Sequence, residues 1–150
     1  MKSGFDFRAD AILTEGPVDP GIIPATVRRF ASHGSAGADV VFMGHVRADV
    51  TEAGTVRGIE YTAHESMART AFATVVGEAA AGAEVIDIEV RHSLGYVPAG
   101  GISLLIAVAT AHRDEAYRVS RAILEGIKRD VPIYGREVID EQTSRWKVNR

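Results

Sequence analysis

The feature that most constrains the fold is the run "ISLLIAVAT", residues 102–110, which is apolar along almost its whole length. An unbroken apolar run of this length, preceded by glycines, is typical of a strand that is buried on both faces. Such a strand needs a hydrophobic core on each side of its sheet. With 46% hydrophobic residues, the 150-residue chain can build this core as one domain spanning residues 1–150.

Strand patterns on either side of this run predict hairpins. "VIDIEVRH", residues 85–92, alternates apolar and charged side chains, and "SLGYVPAGG" is interpreted as a tight connection to the apolar strand. "ADVVFMGHVR", residues 38–47, and "VRGIEYTA", residues 56–63, form another predicted hairpin, in which Gly44 marks a bulge or a close approach to the backbone. Two consecutive hairpins favour an α+β fold over a parallel α/β sheet.

Three helices are predicted between the strands. The first covers "PATVRRFASHG", residues 24–34, the second covers residues 64–81, and the third covers residues 112–129. A first strand is expected in "FDFRADAIL", residues 5–13, and a last strand in the C-terminal tail. The predicted order of elements is therefore β-α-β-β-α-β-β-α-β.

Composition excludes several classes of function. The chain has no cysteine, which rules out disulfides, thiolate zinc sites and cysteine nucleophiles, and which fits a reducing compartment such as the cytoplasm. A net charge of −3 argues against broad nucleic-acid binding, which requires a field of basic residues. Charged residues interrupt the N-terminus, and no run of eighteen apolar residues occurs, so neither a signal peptide nor a membrane span is expected.

One arc of the third helix carries three cations. At 100° per residue, Arg113, Arg121 and Lys128 share this arc with Tyr117 and Leu124. Lys128 is one of only three lysines in a chain with fourteen arginines. The neighbouring arc is apolar and is expected to face the core. It consists of Ala116, Val119, Ser120, Ile123 and Ile127.

Two interpretations of these cations remain open at this point. Charged stripes on helices are most often solvated surface. However, the sequence "TAHRDE" places His112 and Arg113 at the start of the helix, where free amide groups and the helix dipole favour anions. Arg47 follows Gly44 at the end of a predicted strand, where a ligand could also meet the backbone. A small anionic ligand could therefore bind here.

Other catalytic patterns are missing from the sequence. None of the five histidines belongs to a recognised metal motif, so no metal site is expected. No phosphate-binding glycine loop, dinucleotide fingerprint or serine elbow is present. A lysine can bind an anion as a point charge, or act as a nucleophile or proton carrier when burial and nearby cations lower its pKa. Lys128 is therefore the main candidate for a residue that binds an anion or takes part in catalysis.

Several ordered motifs resemble one known family. "GADVVFMGHVR", "IEYTAHESMA", "RHSLGYVPAGGISLLIAVATAHRDEAY" and "IKRDVPIYGRE" are similar, in order and spacing, to segments of the large, catalytic subunit of molybdopterin synthase. The match is collinear over about residues 37–137. The resemblance implies an α/β-hammerhead fold of α+β type, with a mainly antiparallel sheet and a buried helix that carries a catalytic lysine.

The resemblance also implies an activity and partners. The family transfers sulfur from the C-terminal thiocarboxylate of a small ubiquitin-like subunit to cyclic pyranopterin monophosphate, which forms the dithiolene of molybdopterin. A homodimer is expected at the centre of a heterotetramer, and no cofactor is needed because the sulfur arrives on the partner.

The matching positions imply roles for individual residues. Lys128, Arg47 and His112 match catalytic or active-site residues of the family. Arg113, Phe42, Arg136 and Arg150 are the expected substrate-binding residues. Among these, Phe42 matches an aromatic lining position of the family, and Arg150 matches an arginine that reaches the pocket of a neighbouring subunit.

The sequence departs from the family at Gly135. The family has a segment of the form P-x-W-K-x-E, whereas this chain reads "PIYGRE", with glycine in place of a second lysine. Arg136, His45 or Lys147 could replace that cation, although Arg136 would point to the opposite face of a regular strand. The alternative function is therefore a catalytically weak paralogue that binds the small subunit or a pterin phosphate, with an unrelated anion-binding domain as a further possibility.

Overall fold

The computed structural model describes residues 7–139 and 144–146. Within these residues the chain forms helices and strands in an order that follows the sequence prediction, with additional short strands. The α-helices are Ile23–Ser32 (α1), Glu65–Ala80 (α2) and Arg113–Asp130 (α3). The strands are Leu13–Glu15 (β1), Ala38–His45 (β2), Val50–Thr51 (β3), Gly54–Thr55 (β4), Gly58–Ala63 (β5), Val85–Pro98 (β6), Ile102–Thr110 (β7), Ile133–Val138 (β8) and Ser144–Trp146 (β9).

The main sheet has the strand order β2-β7-β6-β5-β8-β9, and β1 pairs in parallel with β6. All other pairs in this sheet are antiparallel. The mixed helix and antiparallel-sheet architecture confirms the predicted α+β class. The register between β2 and β7 shifts between Gly44 and His45, which confirms the predicted bulge. β3 and β4 form a separate small hairpin.

Strand β7 is buried along all nine of its residues, as predicted. It lies between β2 and β6, so both of its backbone edges are paired. Leu104, Ile106 and Val108 face one core, which also contains residues of α2 and α3. Leu105 and Ala107 face a second core. The alternation of strand side chains thus divides the core between the two faces of the sheet.

Helix α3 packs along one face only. The predicted apolar arc is buried, together with Gly126, and the cations of the neighbouring arc are exposed. The helix ends at Asp130, two residues before Pro132, because a residue that precedes proline disfavours helical geometry. Lys128 and Arg129 lie in its last turn, where positive charge stabilises the helix dipole. The expected buried helix is therefore half-buried, with Lys128 on its exposed side.

Three details of the sequence interpretation were wrong. β2 and β5 do not form a hairpin, because β2 pairs with β7 while β5 pairs with β6 and β8. The link after residue 92 is not a tight connection, because β6 continues to Pro98 and pairs there with β5. Within the described part of the predicted first strand, residues 9–11 form a 3₁₀ turn, and β1 begins only at Leu13. The first two errors concern strand pairing, which distant residues decide.

No helix in the described part of the chain combines the length and the apolar character that crossing a membrane would require.

Two glycines within helices provide a matched test of the packing between α2 and α3. A Cβ on Gly126 would lie 2.7 Å from Cγ1 of Val75 in α2, whereas a Cβ on Gly77 would meet nothing within 4 Å. Alanine favours helices over glycine, so Gly77→Ala should raise the free energy of unfolding by about 0.5 to 1 kcal/mol. Gly126→Ala should lower it by about 1 to 2 kcal/mol, because valine is stiff and the helices must move apart.

Urea unfolding of both variants beside the unaltered chain measures this difference. Equal stabilisation by both substitutions would contradict the close packing of the two helices at Gly126.

Candidate active site

A cavity of about 120 Å³ lies between the C-terminal end of α3 and the main sheet. Five strands contribute to its wall, because α3 crosses the sheet where β2, β7, β6, β5 and β8 are neighbours. The lining residues are Phe42, Gly44, His45, Tyr61, His92, Ser103, Leu104, Leu124, Ile127, Lys128, Val131, Ile133 and Gly135. Most of this wall is apolar or neutral, so the charge at its edge dominates the electrostatics.

Lys128 supplies that charge from the last turn of α3. Its side chain is exposed, yet the residue lines the cavity. Ile127 is buried beside it, and Leu124 lies one turn earlier on the same wall. The amphipathic pattern of the helix therefore carries the lysine to the mouth of the cavity, where its ammonium group can meet both solvent and a ligand.

His92 is the buried titratable group of the cavity. Its Nδ1 lies 2.8 Å from the backbone carbonyl oxygen of Ser93 and donates to it in the neutral ring. Burial, with a further contribution from the charge of Lys128, lowers the pKa of His92 to about 4, although the hydrogen bond to Ser93 acts in the opposite direction. The imidazole is therefore neutral at pH 7, and Nε2 is left as a hydrogen-bond acceptor.

Tyr61 and Gly135 form the opposite wall of the cavity. They are direct partners in the register of β5 and β8. A Cβ on Gly135 would lie 3.0 Å from Cγ2 of Ile59 and 3.2 Å from Cε1 of Tyr61. The Tyr61 ring also meets the His92 ring edge to face, with the ring centroids 5.3 Å apart. The phenol therefore occupies space that a side chain at position 135 would need.

The residues that the resemblance implied are not all near this cavity. Phe42 and Lys128 line it. Arg47 lies two residues beyond the end of β2, where its side chain is 79% exposed and forms an ion pair with Asp49 at 3.3 Å. Arg136 is exposed and is not among the lining residues, since it alternates with Gly135 along β8. Arg150 lies outside the described residues.

His112 and Arg113 lie at the far end of α3. Arg113 begins the helix, fifteen residues before Lys128, and His112 immediately precedes Arg113. At 1.5 Å per residue, the two ends are about 22 Å apart along the helix axis. Within one chain, the structure therefore does not bring His112 or Arg113 to the Lys128 cavity.

Sequence patterns did not single out Tyr61, His92 or Ser103 as site residues, although all three line the cavity. Tyr61 and Ser103 were interpreted only as parts of strands, and His92 was also considered as one of five histidines without a metal motif. Their approach depends on the pairing of β5, β6 and β7, which no local signal reports. Among the described residues, no group of three histidine, aspartate or glutamate side chains is arranged to hold a metal ion.

Comparison with known proteins identifies the family. The family model described as MoaE protein matches residues 13–130 of the chain. This chain belongs to the MoaE protein family. It is 33% identical over 138 residues to the molybdopterin synthase catalytic subunit of Aspergillus niger, covering 92% of this chain and 74% of that protein. The corresponding protein of Thermoplasma volcanium is 33% identical over 134 residues, covering 89% and 94%.

Solved structures of the family share this fold. A crystal structure of molybdopterin synthase from Staphylococcus aureus aligns with a TM-score of 0.80 at 28% identity, covering 95% of this chain and 99% of that chain. A complex of subunits 1 and 2 of the molybdopterin-converting factor from Helicobacter pylori aligns with a TM-score of 0.76 at 23% identity, covering 93% and 91%. The second likeness concerns the fold alone.

The lowered pKa of His92 predicts a pH dependence of stability. The unfolded chain takes up a proton near pH 6.5, whereas the folded chain does so only near pH 4. Keeping His92 neutral therefore stabilises the fold above pH 6.5 relative to acidic pH, and this contribution of roughly 3 kcal/mol is lost as the pH falls from 6.5 to 4.

Urea unfolding between pH 7.5 and pH 4 measures this loss. His92→Gln should flatten the pH dependence by about one proton. Identical slopes for the unaltered chain and His92→Gln would contradict the assignment.

Proposed function

We propose that this member of the MoaE family is the catalytic subunit of a molybdopterin synthase and that sulfur transfer takes place at the Lys128 cavity. The sulfur donor is the C-terminal thiocarboxylate of a small ubiquitin-like subunit, and the acceptor is cyclic pyranopterin monophosphate. The observation that supports this assignment best is the position of Lys128, at the mouth of a narrow cavity with a neutral wall.

The electrostatics of the cavity suit this chemistry. A thiocarboxylate is an anion, and an ammonium group beside a wall of low polarity attracts an anion more strongly than it would in water. Lys128 is the one lysine or arginine among the described residues that line the cavity. The nearby His92 is neutral at pH 7, so it does not add to the positive charge and can accept a hydrogen bond. Lys128 is therefore the proposed catalytic cation.

A second copy of the chain would complete the proposed site. His112 and Arg113 are too far from Lys128 within one chain, at about 22 Å along α3. If they contribute to the same reaction, as their match to the family implies, they must approach the cavity of a neighbouring chain. The proposed assembly is therefore a homodimer that binds one small subunit at each end, with Arg47 and Arg113 available for the substrate phosphate.

The remaining expectations follow from this assignment. We propose that residues 1–150 form one domain and that the protein acts in the cytoplasm, where its partner and substrate would be found. Phe42 is the proposed aromatic contact for the substrate, since it lines the cavity. Arg136 and Arg150 remain predictions as substrate-binding residues, and either would have to act outside the cavity or on a neighbouring chain.

Gly135 favours a second candidate function. It lies in the cavity wall without a side chain, at the position where the resemblance implied a second lysine. Of the three proposed replacements, His45 lines the cavity, Arg136 does not, and Lys147 lies outside the described residues. If His45 cannot take over the role of that lysine, the chain would be a binding module for the small subunit or for a pterin phosphate.

Substitution of Lys128 tests the proposed function. In a mixture of this chain, thiocarboxylated small subunit and cyclic pyranopterin monophosphate, Lys128→Ala should lower the rate of dithiolene formation by at least about a hundredfold, because the cation at the reacting anion is lost. Dithiolene is measured by conversion to a fluorescent pterin.

Arg129→Ala is the matched control for that experiment. Arg129 is the next residue of α3, but it pairs with Asp130 and does not line the cavity. Its removal should leave the rate within about twofold of the unaltered chain. An active Lys128→Ala variant would remove Lys128 from its role, and an unaltered chain that binds the small subunit without turnover would favour the binding module.

A lysine introduced at position 135 should raise neither the stability nor the turnover of the protein. Because Ile59 and Tyr61 already occupy the space beside Gly135, Gly135→Lys should lower the free energy of unfolding by about 1 to 3 kcal/mol and reduce turnover. Gly77→Ala controls for loss of a glycine in open space, because its backbone conformation accepts a side chain. Higher turnover at unchanged stability would show that the cavity has room for a second lysine.

A further inference from the structure

Tyr61 is held in a fixed position inside the cavity. Gly135 leaves room for its ring on one side, with only 3.2 Å between Cε1 of the ring and the place of a Cβ. The His92 ring meets it edge to face at an interplanar angle of 86°. Ser103, whose Oγ donates to the Gly44 carbonyl at 3.5 Å, also lines the cavity. Residues of β8, β6 and β7 therefore surround the phenol.

The phenol is a donor at physiological pH. Burial raises the pKa of Tyr61, and the nearby Ser103 hydroxyl opposes this shift without reversing it. The hydroxyl therefore keeps its proton. His92 beside it is neutral and has its Nδ1 occupied by the Ser93 carbonyl. The inner end of the cavity thus offers neutral hydrogen-bonding groups, whereas the mouth offers the charge of Lys128.

The size of the cavity limits what can bind at this inner end. At about 120 Å³ it is smaller than the 300 to 1,000 Å³ that is usual for pockets that enclose a whole small molecule. A chain end without side chains, such as a C-terminal glycine, is narrow enough to enter. A thiocarboxylate at that end has one oxygen and one sulfur, and oxygen is the better hydrogen-bond acceptor.

We propose that the Tyr61 hydroxyl donates a hydrogen bond to the carbonyl oxygen of the partner's C-terminal thiocarboxylate. This inference rests on the proposed function and assigns Tyr61 as an additional residue in contact with the reacting group. Binding through oxygen fixes the orientation of the chain end and leaves the sulfur without a strong partner, so that it can face the substrate beside Lys128. Gly135 contributes to this arrangement, because a side chain there would displace the Tyr61 ring.

The test uses the full-length chain and a small subunit labelled with ¹³C at its terminal carboxyl carbon. With the unmodified, carboxylate form, binding to the unaltered chain should shift the ¹³C resonance, and Tyr61→Phe should remove most of that shift. The affinity and the turnover with the thiocarboxylated form should each fall on the order of tenfold, which is typical for loss of a hydrogen bond to a charged acceptor.

Tyr96→Phe is the matched control, because the Tyr96 hydroxyl donates to the Arg57 carbonyl and the residue does not line the cavity. It should leave the ¹³C shift and the turnover unchanged. Gly135→Ala is a second variant, which should reduce the shift in the same direction because its Cβ would lie 3.2 Å from Cε1 of Tyr61 and displace the ring. It keeps the test decisive if Tyr61→Phe folds poorly.

The outcomes separate the two proposals. If the unaltered chain binds and turns over while Tyr61→Phe retains its ¹³C shift, affinity and rate, the role of Tyr61 is overturned and the proposed function stands. If the unaltered chain neither binds the small subunit nor forms dithiolene, the proposed function fails and this inference fails with it.

Discussion

The burial of β7 on both faces is the constraint on which the rest of this structure depends. Its backbone groups are paired with β2 on one side and with β6 on the other, so no polar edge is left in the core. Alternate side chains enter two separate cores. One of these cores seats α2 and α3 on the sheet, which fixes the direction of α3 and the position of its last turn.

The cavity lies where the last turn of α3 meets the main sheet. His92, Leu104 and Gly44 lie in one row across β6, β7 and β2, and this row forms the floor beneath the end of the helix. The helix brings Lys128 to the mouth, and β5 brings Tyr61 to the inner wall. The outcome is a site in which one exposed cation faces neutral, buried hydrogen-bonding groups, an arrangement suited to orienting an anionic chain end.

The sequence was sufficient to predict which segments form helices and buried strands, but not which distant segments pair with each other. The buried arc of α3 follows from a period of 3.6 residues, and the burial of β7 follows from an unbroken apolar run. Strand partners depend on distant residues, so the hairpin predicted between β2 and β5 was wrong. The site shows the same limit. Lys128 could be identified from its motif, whereas Tyr61 and His92 are brought together only by the sheet.

A zero-length cross-link tests directly whether the C-terminus of a small partner subunit reaches Lys128. The chain has only three lysines, Lys2, Lys128 and Lys147, so carbodiimide coupling of the partner's terminal carboxyl followed by peptide mass spectrometry can give an unambiguous answer. An amide bond between that carboxyl and Nζ of Lys128 is the predicted result. A complex that forms normally but is joined at Lys2 or Lys147 would show that the partner's C-terminus does not reach the Lys128 cavity.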